Sequence, residues 1–148
     1  FDGLAHFYKS KNIIENNISE AFAKHSNWPK NLANPYIVSA SKKLLSKFSE
    51  FKKGITATAS GFYAPQGREL RIKPAIEDLH QKMNTFKFEG NRITNFEMET
   101  SALYFLGKSL GHNTLTICAI IGNRITQKQS KDYKKTVDKL IVAVLDKL

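Results

Sequence analysis

Gln66 and Arg68, two residues apart in SGFYAPQGREL (60–70), carry complementary hydrogen-bonding chemistry. An amide offers one acceptor oxygen and two N–H donors, and a guanidinium offers a rigid fork of donors. Held together they match a ring edge that shows C=O, N–H and C=O in turn, as uracil does. Gly61, Pro65 and Gly67 shape the loop, and Phe62 stands where its ring can stack on a planar base or close a pocket. A surface turn with an incidental amide and a solvated arginine has the same letters, so the pattern alone leaves both readings open.

A second constellation is NFEMET (95–100), where Glu97 and Glu99 flank Met98 at the junction of a strand and a helix. A carboxylate accepts two hydrogen bonds side by side, so Glu99 suits a vicinal diol such as that of ribose, with Met98 as a soft apolar floor. The ordinary alternative is a helix-starting glutamate, favoured by the helix dipole, beside a core methionine. His6, His25, His80 and His112 show no metal-ligand spacing, and there is no CxxC, HExxH or Gly-rich phosphate loop. No metal and no organic cofactor is expected.

Several elements must position these residues. Residues 12–24 place Ile13, Ile14, Ile18 and Phe22 on one helical face, and from Pro35 the stretch YIVSASKKLLSKFSEF (36–51) has Ile37, Leu44, Leu45 and Phe48 at helical spacing. KGITATAS (53–60) reads as a β-branched strand, 75–84 as a helix and NRITNFEM (91–98) as an alternating strand. A helix is predicted from Glu99 to Leu110, closed by Gly111. NTLTICAIIG (113–122) is almost wholly apolar, like a strand covered on both faces. A last helix from Lys131 carries Val137, Leu140, Ile141, Val144, Leu145 and Leu148 on one side. Strands alternating with helices predict an α/β fold with a mixed, largely parallel central sheet flanked by helices. In such sheets ligands bind beyond the carboxyl ends of the strands. GFYAPQGR, FEMET and GNR all fall there, so three strand ends converge on one small-molecule crevice.

The 148 residues are 41% hydrophobic and 24% charged, enough for one domain with a real core. No apolar run approaches the roughly 18–20 residues that span a bilayer. The opening FDGLAHFYKS mixes charge with aromatics, unlike a signal peptide, and the lone Cys118 fits a reducing compartment, so a cytoplasmic location is expected. The net charge of +10 raises the alternative of a basic nucleic-acid-binding module. The lysines are scattered, however, and on the last helix they alternate with the apolar stripe as a solvated face does. Neither nucleic acid nor membrane is expected as a partner.

GITATASGFYAPQGR, ITNFEMETSALYFLGKSLGH and LTICAIIGNR, in this order and spacing, resemble uridine phosphorylases of the nucleoside phosphorylase/hydrolase superfamily. The upstream FDGLAHFY and HSNWPKNLANPYIVSASKKLL are similar to the middle of bacterial members, so the resemblance covers essentially the whole chain. It implies reversible phosphorolysis of uridine, with inorganic phosphate as co-substrate. By position it gives Gln66 and Arg68 the uracil carbonyls and N3, and Phe62 the lining of the base pocket. Met98 and Glu99 contact ribose, Glu99 through the 2′-hydroxyl, with Glu97 at the same strand end. Ile120 and Ile121 wall the pocket, and Arg124 lies near its rim. Arg68 and Glu99 are the candidate catalytic residues.

Two departures from the family pattern bear on substrate and extent. Purine-specific members carry an aspartate where Gly122 stands here, which favours a pyrimidine; a purine or broad-specificity phosphorylase or hydrolase is the alternative. The family's arginine-bearing phosphate loop lies in its first half and has no match. Residues 1–148 are therefore expected to form the C-terminal part of one phosphorylase domain, inactive alone, with the incomplete sheet that implies. Full-length family members are homo-oligomers, dimers or hexamers of dimers.

Overall fold

The computed structural model describes residues 1–9 and 12–147. Its centre is a three-stranded sheet of β1 (Ile55–Thr58), β2 (Lys87–Phe88) and β3 (Asn91–Glu97), in the order β1-β3-β2. β1 runs parallel to β3 and β2 antiparallel to it, so the sheet is mixed. The register of β1 on β3 slips after Ile55, pairing Ile55 with Ile93 but Thr56 with Asn95 and skipping Thr94. This bulge changes the phase of the predicted alternation, and Ile93 and Phe96, three residues apart, both pack on the same core. Thr94 in turn crowds Gly54, where any Cβ would lie 2.3 Å from the threonine methyl.

Among the described residues five α-helices accompany the sheet: α1 (Asn16–His25), α2 (Lys42–Lys47), α3 (Leu79–Thr85), α4 (Thr100–Ser109) and α5 (Tyr133–Leu145). The main core joins Phe22 of α1 and Leu79 and Met83 of α3 to Ala57, Ile76 and Phe86. A smaller cluster of Ala5, Tyr36 and Phe105 packs α4 against the chain's first turns. The predicted continuous face of 12–24 is divided between the two. Ile13 and Ile14 precede the helix and pack on the smaller cluster, while Ile18 packs on the main one. The division falls at Glu15, whose backbone leaves helical angles and whose N–H donates to the Ile37 carbonyl at 2.9 Å.

Other predicted elements are shorter than expected. Residues 35–41 are extended rather than helical, because long-range bonds hold them: Ile37 N–H donates to Ser19 Oγ (3.0 Å) and Ser41 N–H to the Thr114 carbonyl (2.9 Å). The helix then starts at Ser41, whose hydroxyl accepts from Leu44 N–H as an N-cap. α3 begins four residues later than predicted, after Asp78 in a left-handed conformation at φ 51°. α4 follows its prediction closely and ends at Gly111, φ 77°.

Residues 112–121 form no ladder among the described residues, although a buried strand was predicted. Their anchors are side chains and loops: Thr116 N–H donates to the Tyr104 hydroxyl at 2.9 Å, and Thr114 packs onto Gly107, where a Cβ would meet it at 2.3 Å. The apolar run suits a strand and an anchored extended segment equally. A short hairpin follows, β4 (Gly122–Asn123) with β5 (Lys128–Gln129). The apolar side of α5 is only partly covered, with Ile141 and Leu145 exposed; Leu148, predicted on the same stripe, lies outside the described residues. Among the described residues no helix is long and apolar enough to cross a membrane.

Candidate functional site

Residues 64–66 make one 3₁₀ turn with Pro65 inside it, and Gly67 follows at φ 69°. Gln66 and Arg68 N–H both donate to the Tyr63 carbonyl, at 3.0 and 3.1 Å, so the two side chains leave the same tight turn. Gln66 is 4% exposed. Its amide oxygen accepts from Arg68 Nη1 at 2.5 Å and from Arg124 Nη2. Arg68 also donates to the Phe62 carbonyl, and its guanidinium carbon lies over the Phe62 ring, 3.6 Å from its centroid. Phe62 itself is exposed, so the stacked pair forms the outer side of the cluster.

Arg124 arrives from the β4–β5 turn, 58 residues away in sequence from Gln66. That turn is shaped by the Asn123 side chain, which accepts from Ile125 and Thr126 N–H at 2.9 and 3.0 Å. The Arg124 guanidinium reaches Gln66 twice, at the amide oxygen and at the backbone carbonyl (3.3 Å), and lies 5.7 Å from the Phe96 ring centroid. Burial first, then the charge of Arg68, weakens Arg124's hold on its proton. Two cations thus converge on one neutral oxygen, an arrangement whose mutual repulsion an anionic or electron-rich ligand would relieve. The sequence placed Arg124 only near a rim; the structure brings it into the cluster.

His80, from α3, completes the group. Its Nε2–H donates to the Gln66 carbonyl at 2.6 Å, the tautomer that an acceptor at this distance requires. Its pKa is depressed below the ordinary histidine value by burial and by the neighbouring Arg124 and Arg68, against the opposing bond to Gln66. Sequence reasoning set His80 aside because it lacks metal-ligand spacing, and no local pattern marks it. A cleft of about 560 Å³ adjoins this side, lined by Gly67, His80, Arg124 and the acidic Glu69, Glu77 and Asp78. Phe62, Met98 and Glu99 do not line it.

At the end of β3 the two glutamates have different surroundings. Glu97 Oε1 accepts from the Thr58 hydroxyl at 2.5 Å, while Oε2 accepts from Glu99 N–H (2.8 Å) and Thr100 N–H (2.7 Å). Three hydrogen bonds commit this carboxylate to joining β1, β3 and the start of α4. The carboxylate thereby satisfies N–H groups that the helix start leaves free. Glu99 is the N-cap position of α4, with its side chain exposed, and Met98 is 38% exposed. Phe96 connects the two regions, being edge-on to His80 (6.4 Å between centroids), beneath Arg124 and two residues before Met98. Ile120 and Ile121 are 55% and 53% exposed and do not form an enclosed wall. Among the described residues no group of three or more His, Cys, Asp or Glu is placed to hold a metal ion.

Comparison with known proteins identifies the family. Residues 5–146 match the family model described as the phosphorylase superfamily. A curated relative, the uridine phosphorylase of Thermococcus kodakarensis, is 34% identical over 89 residues, which is 55% of this chain and 29% of the relative. The match thus spans less than a third of that relative's length. No solved structure matches. With the family model covering nearly all of its length, the chain belongs to the phosphorylase superfamily.

Proposed function

We propose that the protein is a nucleoside phosphorylase acting on uridine: uridine and inorganic phosphate give uracil and ribose 1-phosphate, reversibly. The observation that carries this reading is the convergence of the Arg68 and Arg124 guanidiniums on Gln66, within a chain of the phosphorylase superfamily. In phosphorolysis a phosphate oxygen bonds to C1′ as the C1′–N1 bond breaks, and the electron pair of that bond leaves with the base. The negative charge spreads onto the uracil carbonyl oxygens. Preorganised donors at such a charge are worth roughly 3–4 kcal/mol each. Arg68 takes this role first, with Arg124 beside it and Gln66 orienting the ring. For uracil to bind, Gln66 exchanges one of its arginine partners for the ring edge. Phe62 covers the base, while Ile120 and Ile121 form apolar margin.

Glu99, exposed at the start of α4, reads the ribose hydroxyls over Met98, and Glu97 holds the Glu99 backbone in place. No organic cofactor or metal takes part. On this reading residues 1–148 are one part of a phosphorylase domain with a largely parallel sheet, and sequence beyond them supplies the phosphate loop. The assembled protein is a cytoplasmic homo-oligomer. The rival reading is a basic nucleic-acid-binding module, and calorimetry separates the two. Titration of the full-length protein with uridine and with a mixed-sequence oligonucleotide, at low and moderate salt, should show saturable uridine binding. Salt-dependent oligonucleotide binding without any uridine binding would replace the enzyme with the module.

A further inference from the structure

We propose that His80 is a positioning residue for base recognition: its Nε2–H, donated to the Gln66 carbonyl, holds the Gln66–Arg68 turn against Arg124. The role rests on the nucleoside reading above. The Gln66 carbonyl accepts two bonds, from His80 at 2.6 Å and from Arg124 Nη1 at 3.3 Å. These two donors lie 3.5 Å apart because both aim at the same oxygen. One residue on, Gly67 packs directly on the imidazole, where a Cβ would sit 3.1 Å from Nε2. On its other side the ring stands edge-on to Phe96, at an interplanar angle of 78°.

His80 therefore touches all three segments that carry the candidate contacts: the loop after β1, the turn bearing Arg124, and the strand leading into Met98 and Glu99. It belongs to none of them but to α3, which packs on β3. Of the two bonds that the Gln66 backbone carbonyl accepts, the one from His80 is the shorter. Without it the turn keeps its internal bonds, but the Gln66 carbonyl is left to Arg124, the same guanidinium that must be free to meet the departing base. A neutral donor suits this position, because it orients the carbonyl without adding a third positive charge beside the two arginines.

The test separates the N–H from the ring. His80→Phe keeps the edge contact with Phe96 and removes the donor; His80→Gln returns a donor near the Nε2 position. In the full-length protein, His80→Phe should raise the KM for uridine about tenfold, the order of one lost hydrogen bond, while the KM for phosphate moves less than about twofold. His80→Gln should return the uridine KM to within about threefold of wild type. Hydrogen exchange read by mass spectrometry follows the turn without any ligand: the amides of residues 61–69 should exchange faster in His80→Phe and recover in His80→Gln. Unchanged exchange in His80→Phe, or equal disturbance in both variants, overturns the positioning role whatever the substrate is. Faster exchange in His80→Phe with rescue by His80→Gln, in a protein that neither binds nor cleaves uridine, keeps the positioning of the turn and removes the nucleoside reading instead.

Discussion

Replacing Glu97 with alanine should destabilise the protein by about 3 kcal/mol, a large share of the roughly 5–15 kcal/mol that holds a domain folded. The figure follows from what each partner of the carboxylate loses. Thr100, 5% exposed, keeps a buried N–H with no acceptor, at a cost of about 1–3 kcal/mol. Thr58, 3% exposed, loses the acceptor for its hydroxyl, which adds about 1 kcal/mol. The Glu99 N–H lies in an exposed residue, where water replaces the lost bond and little is added. Glu97→Gln retains an oxygen for the two helix-start N–H groups but loses the charge, and charged hydrogen bonds are roughly twice as strong as neutral ones. Its cost should be nearer 1 kcal/mol. Urea unfolding at constant m reports both values. A loss below about 0.5 kcal/mol for Glu97→Ala, the range of an unremarkable surface substitution, would refute the capping role.

Three further outcomes are expected. Arg68→Ala should lower kcat/KM for uridine about a hundredfold or more in the full-length enzyme, and a loss under about fivefold would remove Arg68 from the base site. Glu99→Gln should impair uridine more than 2′-deoxyuridine, which has no 2′-hydroxyl to lose; equal losses on both would show that Glu99 does not read that hydroxyl. The third concerns pH. His80 is held below its ordinary pKa of 6.5 by burial and by Arg124 and Arg68, with Glu69, Glu77 and Asp78 lining the same cleft. Its folded pKa is the lower one, so the unfolded chain binds more protons below pH 6.5. The stabilisation is present above that value and is lost as pH falls through the folded pKa. Stability should therefore drop on acidification from roughly pH 7 to 5 less steeply in His80→Phe than in wild type; identical slopes would show that His80 titrates normally.

Much of the frame was legible because it is local. The β-branched run at 55–58, the alternation through Asn91–Glu97 and the Gly111 cap each follow from neighbours within a few residues. The Gln66–Arg68 pair was legible too, since both side chains leave one turn. What escaped depends on distant partners. Residues 35–41 have helical spacing on paper, yet Ser19 and Thr114 hold them extended. The bulge that aligns Ile93 with Phe96 lies beside the contact of Thr94 with Gly54, a residue of the distant partner segment. The bonding of Glu97 is not legible locally either, because one of its partners, Thr58, lies on a different strand. Arg124 and His80 join Gln66 across 58 and 14 residues, with no periodicity to announce the meeting.

The central claim is that these residues serve phosphorolysis of a pyrimidine nucleoside. The most direct test is uracil release by the full-length protein from uridine, with and without inorganic phosphate, beside thymidine and inosine under the same conditions. The account predicts release from uridine that requires phosphate and yields ribose 1-phosphate in equal amount, with inosine a poor substrate. Release that proceeds without phosphate, or inosine cleaved faster than uridine, would contradict it.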